Sequence, residues 1–127
     1  MPESPVGVLI VDDQAPFRRA ASAVVRLTPG FTTLGEAESG EAAVEMVEAL
    51  HPSVVLMDIN LGGISGIEAT RRITAAHPEL VVILLSTYQV EDLPADAATS
   101  GFAAYVNKDD FEPGILRALW EKRNGVA

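Results

Sequence analysis

Val54-Val55-Leu56-Met57-Asp58 is a run of four apolar residues that ends on a carboxylate and opens into Ile59-Asn60-Leu61-Gly62-Gly63. A short, continuous apolar run bounded by a glycine-bearing loop is the pattern of a strand covered on both faces, as in a parallel sheet. Four more runs share that character, at residues 6–11, 31–37 (more weakly), 80–85 and 103–106. The segments between them carry helical period. Phe17, Ala20, Ala21, Val24 and Val25 share one face, as do Ala43, Met46, Val47 and Leu50, and then Phe111, Ile115, Ala118 and Leu119. Thr28-Pro29-Gly30, His51-Pro52 and His77-Pro78 stop the first three helices, because proline cannot continue a helix and biases its predecessor away from one. Pro16 suits the first turn of the first helix. Alternating strands and helices with short links predict an α/β fold: a doubly wound, five-stranded parallel sheet with a helix after every strand.

The chain has 127 residues, the size of one domain, and the expected folded core runs over about residues 5–122 with short tails. Hydrophobic residues make up 48% of it, which excludes a disordered chain. Nine Lys and Arg against eighteen Asp and Glu leave a net charge of -9, so direct binding to nucleic acid is not expected. Cysteine is absent, which removes disulfides, thiolate metal sites and cysteine nucleophiles. The apolar runs are too short to cross a bilayer and no leader is legible, so a cytoplasmic protein without membrane attachment is expected.

In doubly wound sheets, ligands sit beyond the carboxyl ends of the strands. The residues there are Asp12 and Asp13, then Asp58, Ser86 and Lys108. Three carboxylates on one rim repel by about 3 kcal/mol per pair at ~5 Å in an effective dielectric of ~20. One lysine leaves about two negative charges uncompensated, a deficit that Mg²⁺ suits. Repulsion alone predicts that at least one of these carboxyls titrates high without metal. A carboxylate nucleophile, a cation, a hydroxyl and a lysine are the parts of an aspartyl-phosphate centre, with Asp58 as nucleophile and Asp12 and Asp13 holding the metal.

Together with Gly63-Ile64-Ser65-Gly66-Ile67-Glu68-Ala69, Ile83-Leu84-Leu85-Ser86 and Ala104-Tyr105-Val106-Asn107-Lys108, these motifs resemble the receiver domain of two-component response regulators over nearly the whole chain. The resemblance implies a flavodoxin-like (βα)5 fold of strand order 2-1-3-4-5. It also implies that Asp58 takes a phosphoryl group from a sensor histidine kinase. Asp13, Asp58 and the backbone carbonyl of Asn60 would ligate Mg²⁺, with Asp12 helping through water. Ser86 would bond one phosphoryl oxygen, Lys108 would pair with another, and Tyr105 would be the aromatic whose inward turn accompanies switching. Phe17-Arg18, Leu85-Ser86-Thr87-Tyr88 and the stretch ending Lys108-Asp109 resemble the branch that precedes a helix-turn-helix effector in transcriptional regulators. Asp109 stands where many receivers have proline, so a trans bond is expected before it. Gly62 likewise replaces a proline, which predicts a looser loop.

On the last helix, Leu116 and Trp120 fall opposite the face set by Phe111 and Ile115. They are expected as an exposed apolar pair in a partner or homodimer surface built from the fourth helix, fifth strand and last helix. His51 and His77 are read as helix-end residues. Three other functions compete with the switch, which is not itself a turnover enzyme. An Mg²⁺-dependent phosphatase with an aspartate nucleophile lacks a legible substrate pocket. A flavin or nucleotide binder lacks the glycine-rich cradle after the first strand. A phosphorylation-independent interaction module would not need the full constellation.

Overall fold

The computed structural model describes residues 5–123. The tails expected at residues 1–4 and 124–127 lie outside them. Five strands, β1 (Val6–Val11), β2 (Phe31–Ala37), β3 (Val54–Asp58), β4 (Val81–Ser86) and β5 (Ala104–Asn107), form one sheet in the order β2-β1-β3-β4-β5. Every pairing is parallel. Four α-helices, α1 (Ala15–Arg26), α2 (Gly40–Leu50), α3 (Gly66–Ala76) and α4 (Pro113–Glu121), cover its two faces.

The continuous apolar runs follow from the two-period of a strand between two helical layers. Leu9, Val11, Val55, Met57, Val82 and Leu84 pack on one side against Ala43 and Val47 of α2 and Ile67 and Ile73 of α3. Val8, Ile10, Val54, Leu56, Ile83 and Leu85 pack on the other against Ala21 and Val25 of α1 and Leu116 of α4. Central strands buried on both faces leave only their ends for polar chemistry. Helix ends fall where the prolines predict. His51 takes a left-handed φ of 51° and its N–H donates to the Val47 carbonyl, and His77 closes α3 with its Nε2 2.5 Å from Glu48 Oε2. Pro16 lies in the first turn of α1. No peptide bond among the described residues is cis.

Two expectations fail. No fourth α-helix separates β4 from β5: that segment folds as two 3-10 turns, Val90–Asp92 and Ala95–Thr99. Pro94 interrupts it in extended geometry (φ -55°, ψ 145°), so two short turns form instead of one helix. The last helix is also rotated from its expected phase. Leu116 is fully buried, and Trp120 is partly buried, edge-on to Phe31 with ring centroids 6.3 Å apart. The guanidinium of Arg123 lies over the indole, 3.7 Å from its centroid. The misreading came from the choice of face: Phe111 precedes the helix and stays extended (φ -78°, ψ 114°), while Ile115, Leu116, Leu119 and Trp120 share one arc of about 140° at 3.6 residues per turn and pack together on the core layer. Ala20 of α1 is exposed as well, and Ala21 and Val25 carry the burial.

Leu116→Ala is therefore expected to cost about 2–4 kcal/mol in urea unfolding, the range for an aliphatic core truncation. Leu27→Ala, at a position 66% exposed, is expected to change stability by less than about 0.5 kcal/mol.

Candidate functional site

β1, β3 and β5 end at one rim of the sheet, and their terminal residues meet there. Asp12, 1% exposed, and Asp58, 5% exposed, are both buried, whereas Asp13 faces solvent. One carboxylate oxygen from each of the three lies within 4.8 Å of the other two. Lys108, in the residue after β5, reaches back across the rim. Its Nζ is 2.7 Å from Asp12 Oδ2 and 3.4 Å from Asp58 Oδ1. Ser86 is buried at the end of β4, whose preceding residue Leu85 is paired with Asp58. The sequence-predicted Asp12, Asp13, Asp58 and Lys108 thus converge, with Ser86 on the adjoining strand end.

Local bonding fixes these groups. The Gln14 N–H donates to Asp12 Oδ1 at 2.8 Å, closing the turn into α1. Arg18 donates to the Asp12 carbonyl at 2.7 Å while its Nε is held by Glu36 at 3.1 Å, so its charge is already matched and Lys108 is left to face the carboxylates. Behind Asp58, the Gly66 N–H donates to the Ile59 carbonyl at 2.8 Å. A side chain at Gly66 would put its Cβ 1.8 Å from the Asp58 carbonyl oxygen, so only glycine lets α3 start this close to β3. Gly62 has open space around it and Gly63 takes a φ of +77°, which glycine adopts freely. The loop is nevertheless anchored, because the Ile64 N–H donates to Glu41 Oε2 at 3.1 Å.

Burial is the largest cause of an Asp58 pKa raised to about 6, and the negative charge of Asp12 adds to it while Lys108 opposes it. Charge repulsion was expected to raise one carboxyl; desolvation proves the stronger cause. Burial works against the Lys108 ammonium too, but Asp12 and Asp58 outweigh it and hold its pKa above the ordinary lysine value. Asp12 Oδ2 is buried with no donor aligned on it, so its close approach to Lys108 is an ion pair rather than a directed hydrogen bond. Three carboxylates drawn together, with two charges left over after Lys108, fit a hard divalent cation such as Mg²⁺.

Tyr105 lies one strand over. Its hydroxyl donates to the Ser86 carbonyl at 3.1 Å and to the Tyr88 carbonyl. Burial raises its pKa. Sequence reasoning missed Tyr88, whose hydroxyl crosses the mouth of the site to Asn60 Oδ1 at 3.3 Å. Its place two residues beyond Ser86 was the available signal, but nothing in spacing alone aims its ring at Asn60. Leu116 and Trp120 do not join the rim; they belong to the core and to the Phe31 contact.

An aspartate buried at the third strand end, an acidic pair at the first and a lysine after the fifth define an aspartate-centred receiver. The sequence matches the response regulator receiver domain family over residues 8–119, and the chain belongs to that family. It is 32% identical over 117 residues to the transcriptional regulatory protein DegU of Brevibacillus brevis, covering 92% of this chain and 50% of that protein. The receiver domain of the putative response regulator NarL from Mycobacterium tuberculosis superposes with a TM-score of 0.86 at 26% identity, covering 98% of this chain and all of that one. A LuxR-family two-component response regulator from Aurantimonas sp. SI85-9A1 superposes at 0.84 with 26% identity, covering 96% of this chain and 87% of that one. The chain spans about half the length of the curated relatives it matches.

A carboxyl with a raised pKa binds its proton more tightly in the folded state. Its stabilising contribution is complete below the ordinary value of 3.8 and is lost as pH rises through about 6. Asp58→Asn is therefore expected to stabilise the metal-free protein by about 1–3 kcal/mol at pH 7.5 and by much less at pH 4.5. Urea unfolding in chelator at the two pH values measures this.

Proposed function

We propose that Asp58 accepts a phosphoryl group from the phosphohistidine of a sensor histidine kinase, and that the phosphorylated chain presents an altered surface to its output. The observation that carries this reading is a buried carboxylate at a strand end, 3.4 Å from an ammonium and flanked by two further carboxylates and a strand-end serine. In the transfer, a carboxylate oxygen of Asp58 forms the new O–P bond as the N–P bond breaks and the electron pair leaves with the donor imidazole. Asp13, Asp58 and the backbone carbonyl of Asn60 would hold Mg²⁺, with Asp12 acting through a bound water. The ion would supply charge neutralisation for the transferring phosphoryl oxygens. Lys108 would pair with one of those oxygens and the Ser86 hydroxyl would donate to another.

The readout follows from the Tyr105 bonds. Drawing Ser86 towards a phosphoryl group pulls on the carbonyl that the Tyr105 hydroxyl holds. Beside it lies a shallow cavity of about 410 Å³, lined by Tyr88, Val90, Tyr105, Ile115 and Leu119 among others. We assign the change of shape to this face, with transcriptional control as the output, by analogy with the transcriptional regulatory protein DegU. The chain, residues 1–127, is taken as a single receiver unit of the cytoplasm; among the described residues no helix is long and apolar enough to cross a membrane.

Incubation with acetyl phosphate and Mg²⁺, followed by intact mass, is expected to give one phosphoryl addition. It should vanish in Asp58→Asn and in chelator. Continuous release of phosphate over many turnovers would instead make the chain a phosphatase, and no adduct would leave an interaction module. Mg²⁺ affinity, followed by calorimetry, is expected to weaken as pH falls through about 6, where Asp58 takes up its proton. Lys108→Ala should leave that affinity unchanged or tighter at pH 7.5 while slowing phosphoryl uptake, because it removes positive charge from the rim.

A further inference from the structure

Besides the carboxylates of Asp12 and Asp58, the Lys108 ammonium has the ring of Phe17 as a close neighbour. The Nζ stands 4.5 Å from the ring centroid, within the distance at which an ammonium is attracted to the negative face of an aromatic ring. The lysine side chain is only 17% exposed, so this contact is partly desolvated and stronger than a surface one. Phe17 is fixed by the same turn that fixes the carboxylates. Its N–H donates to the Gln14 carbonyl at 3.1 Å, and the Gln14 N–H in turn donates to Asp12 Oδ1 at 2.8 Å. Below, the ring packs against the core layer that α1 and α4 share. Lysine brings a compact charge on a flexible four-carbon stem, and the two oxygens alone do not stop that stem from swinging out into water.

We propose that Phe17 is a positioning residue for Lys108, its aromatic face holding the ammonium against Asp12 and Asp58 so that the charge is already in place when phosphoryl oxygens arrive. The inference rests on the phosphoryl-acceptor reading of Asp58 and adds a residue from α1 to it. Preorganised charge is what makes such a site effective, since no reorganisation is then needed during transfer. A leucine would fill the space and keep the packing, but it would offer the cation nothing.

The test compares the parent chain with Phe17→Leu, Phe17→Tyr and a chain carrying 3,4,5-trifluorophenylalanine at position 17, which keeps the ring's shape and removes its negative face. Phosphorylation by acetyl phosphate at saturating Mg²⁺ is expected to slow about three- to tenfold in the leucine and trifluoro chains and to stay near the parent rate in Phe17→Tyr. Melting temperature and Mg²⁺ affinity are expected to change little. In the NMR spectrum of the parent, the Lys108 ε-methylene protons should be shifted upfield by the ring, a shift that Phe17→Leu abolishes. Equal rates in all four chains, or no such shift in the parent, overturn the role given to Phe17 alone. Failure of the parent itself to take up a phosphoryl group overturns the acceptor reading, and the role of Phe17 with it.

Discussion

An ammonium and two buried carboxylates share one end of the sheet, and the arrangement is stable only because each element that meets there is rigid for another reason. β1 and β3 are central strands with helices on both faces, so the backbone that precedes Asp12 and Asp58 is locked by core packing rather than by the polar groups themselves. Lys108 arrives from β5 and offsets part of the charge. What remains is a net negative site in a desolvated setting, which raises the proton affinity of Asp58 and leaves an oxygen of Asp12 without an aligned donor. The same imbalance that makes the rim costly to bury suits it to a hard divalent cation.

Most of this was legible in the chain. Continuous apolar runs at residues 6–11 and 54–57 can only be strands covered twice, and the residue after a buried strand is where a polar side chain is least likely to be an accident. The acidic pair, Asp58 and Lys108 were found on that ground alone, and the structure brings them to within a few ångströms of one another. Sequence order supplied their meeting point because parallel strands all deliver their carboxyl ends to one edge.

The two failures have separate causes. Between β4 and β5, Pro94 breaks the segment and the apolar residues from it to Gly101 are only alanines, so two 3-10 turns form where periodic alternation had implied a helix. At the last helix, grouping Ala118 with Ile115 and Leu119 centred the expected face away from Leu116, which proves to be among the most deeply buried side chains. The face that packs is Ile115, Leu116, Leu119 and Trp120. Tyr88 and Phe17 escaped for a different reason: their roles depend on where a ring face points, and spacing carries no information on that.

Gly66 has a reach beyond its own turn. With its backbone pressed against the peptide that carries Asp58, the first turn of α3 and the last peptide of β3 behave as one mechanical piece. A force that slid the helix along its axis would have to drag Asp58 with it. Asp58 is thus buttressed from behind as well as held from the front, and a library randomised at position 66 and sorted for the intact site would return glycine.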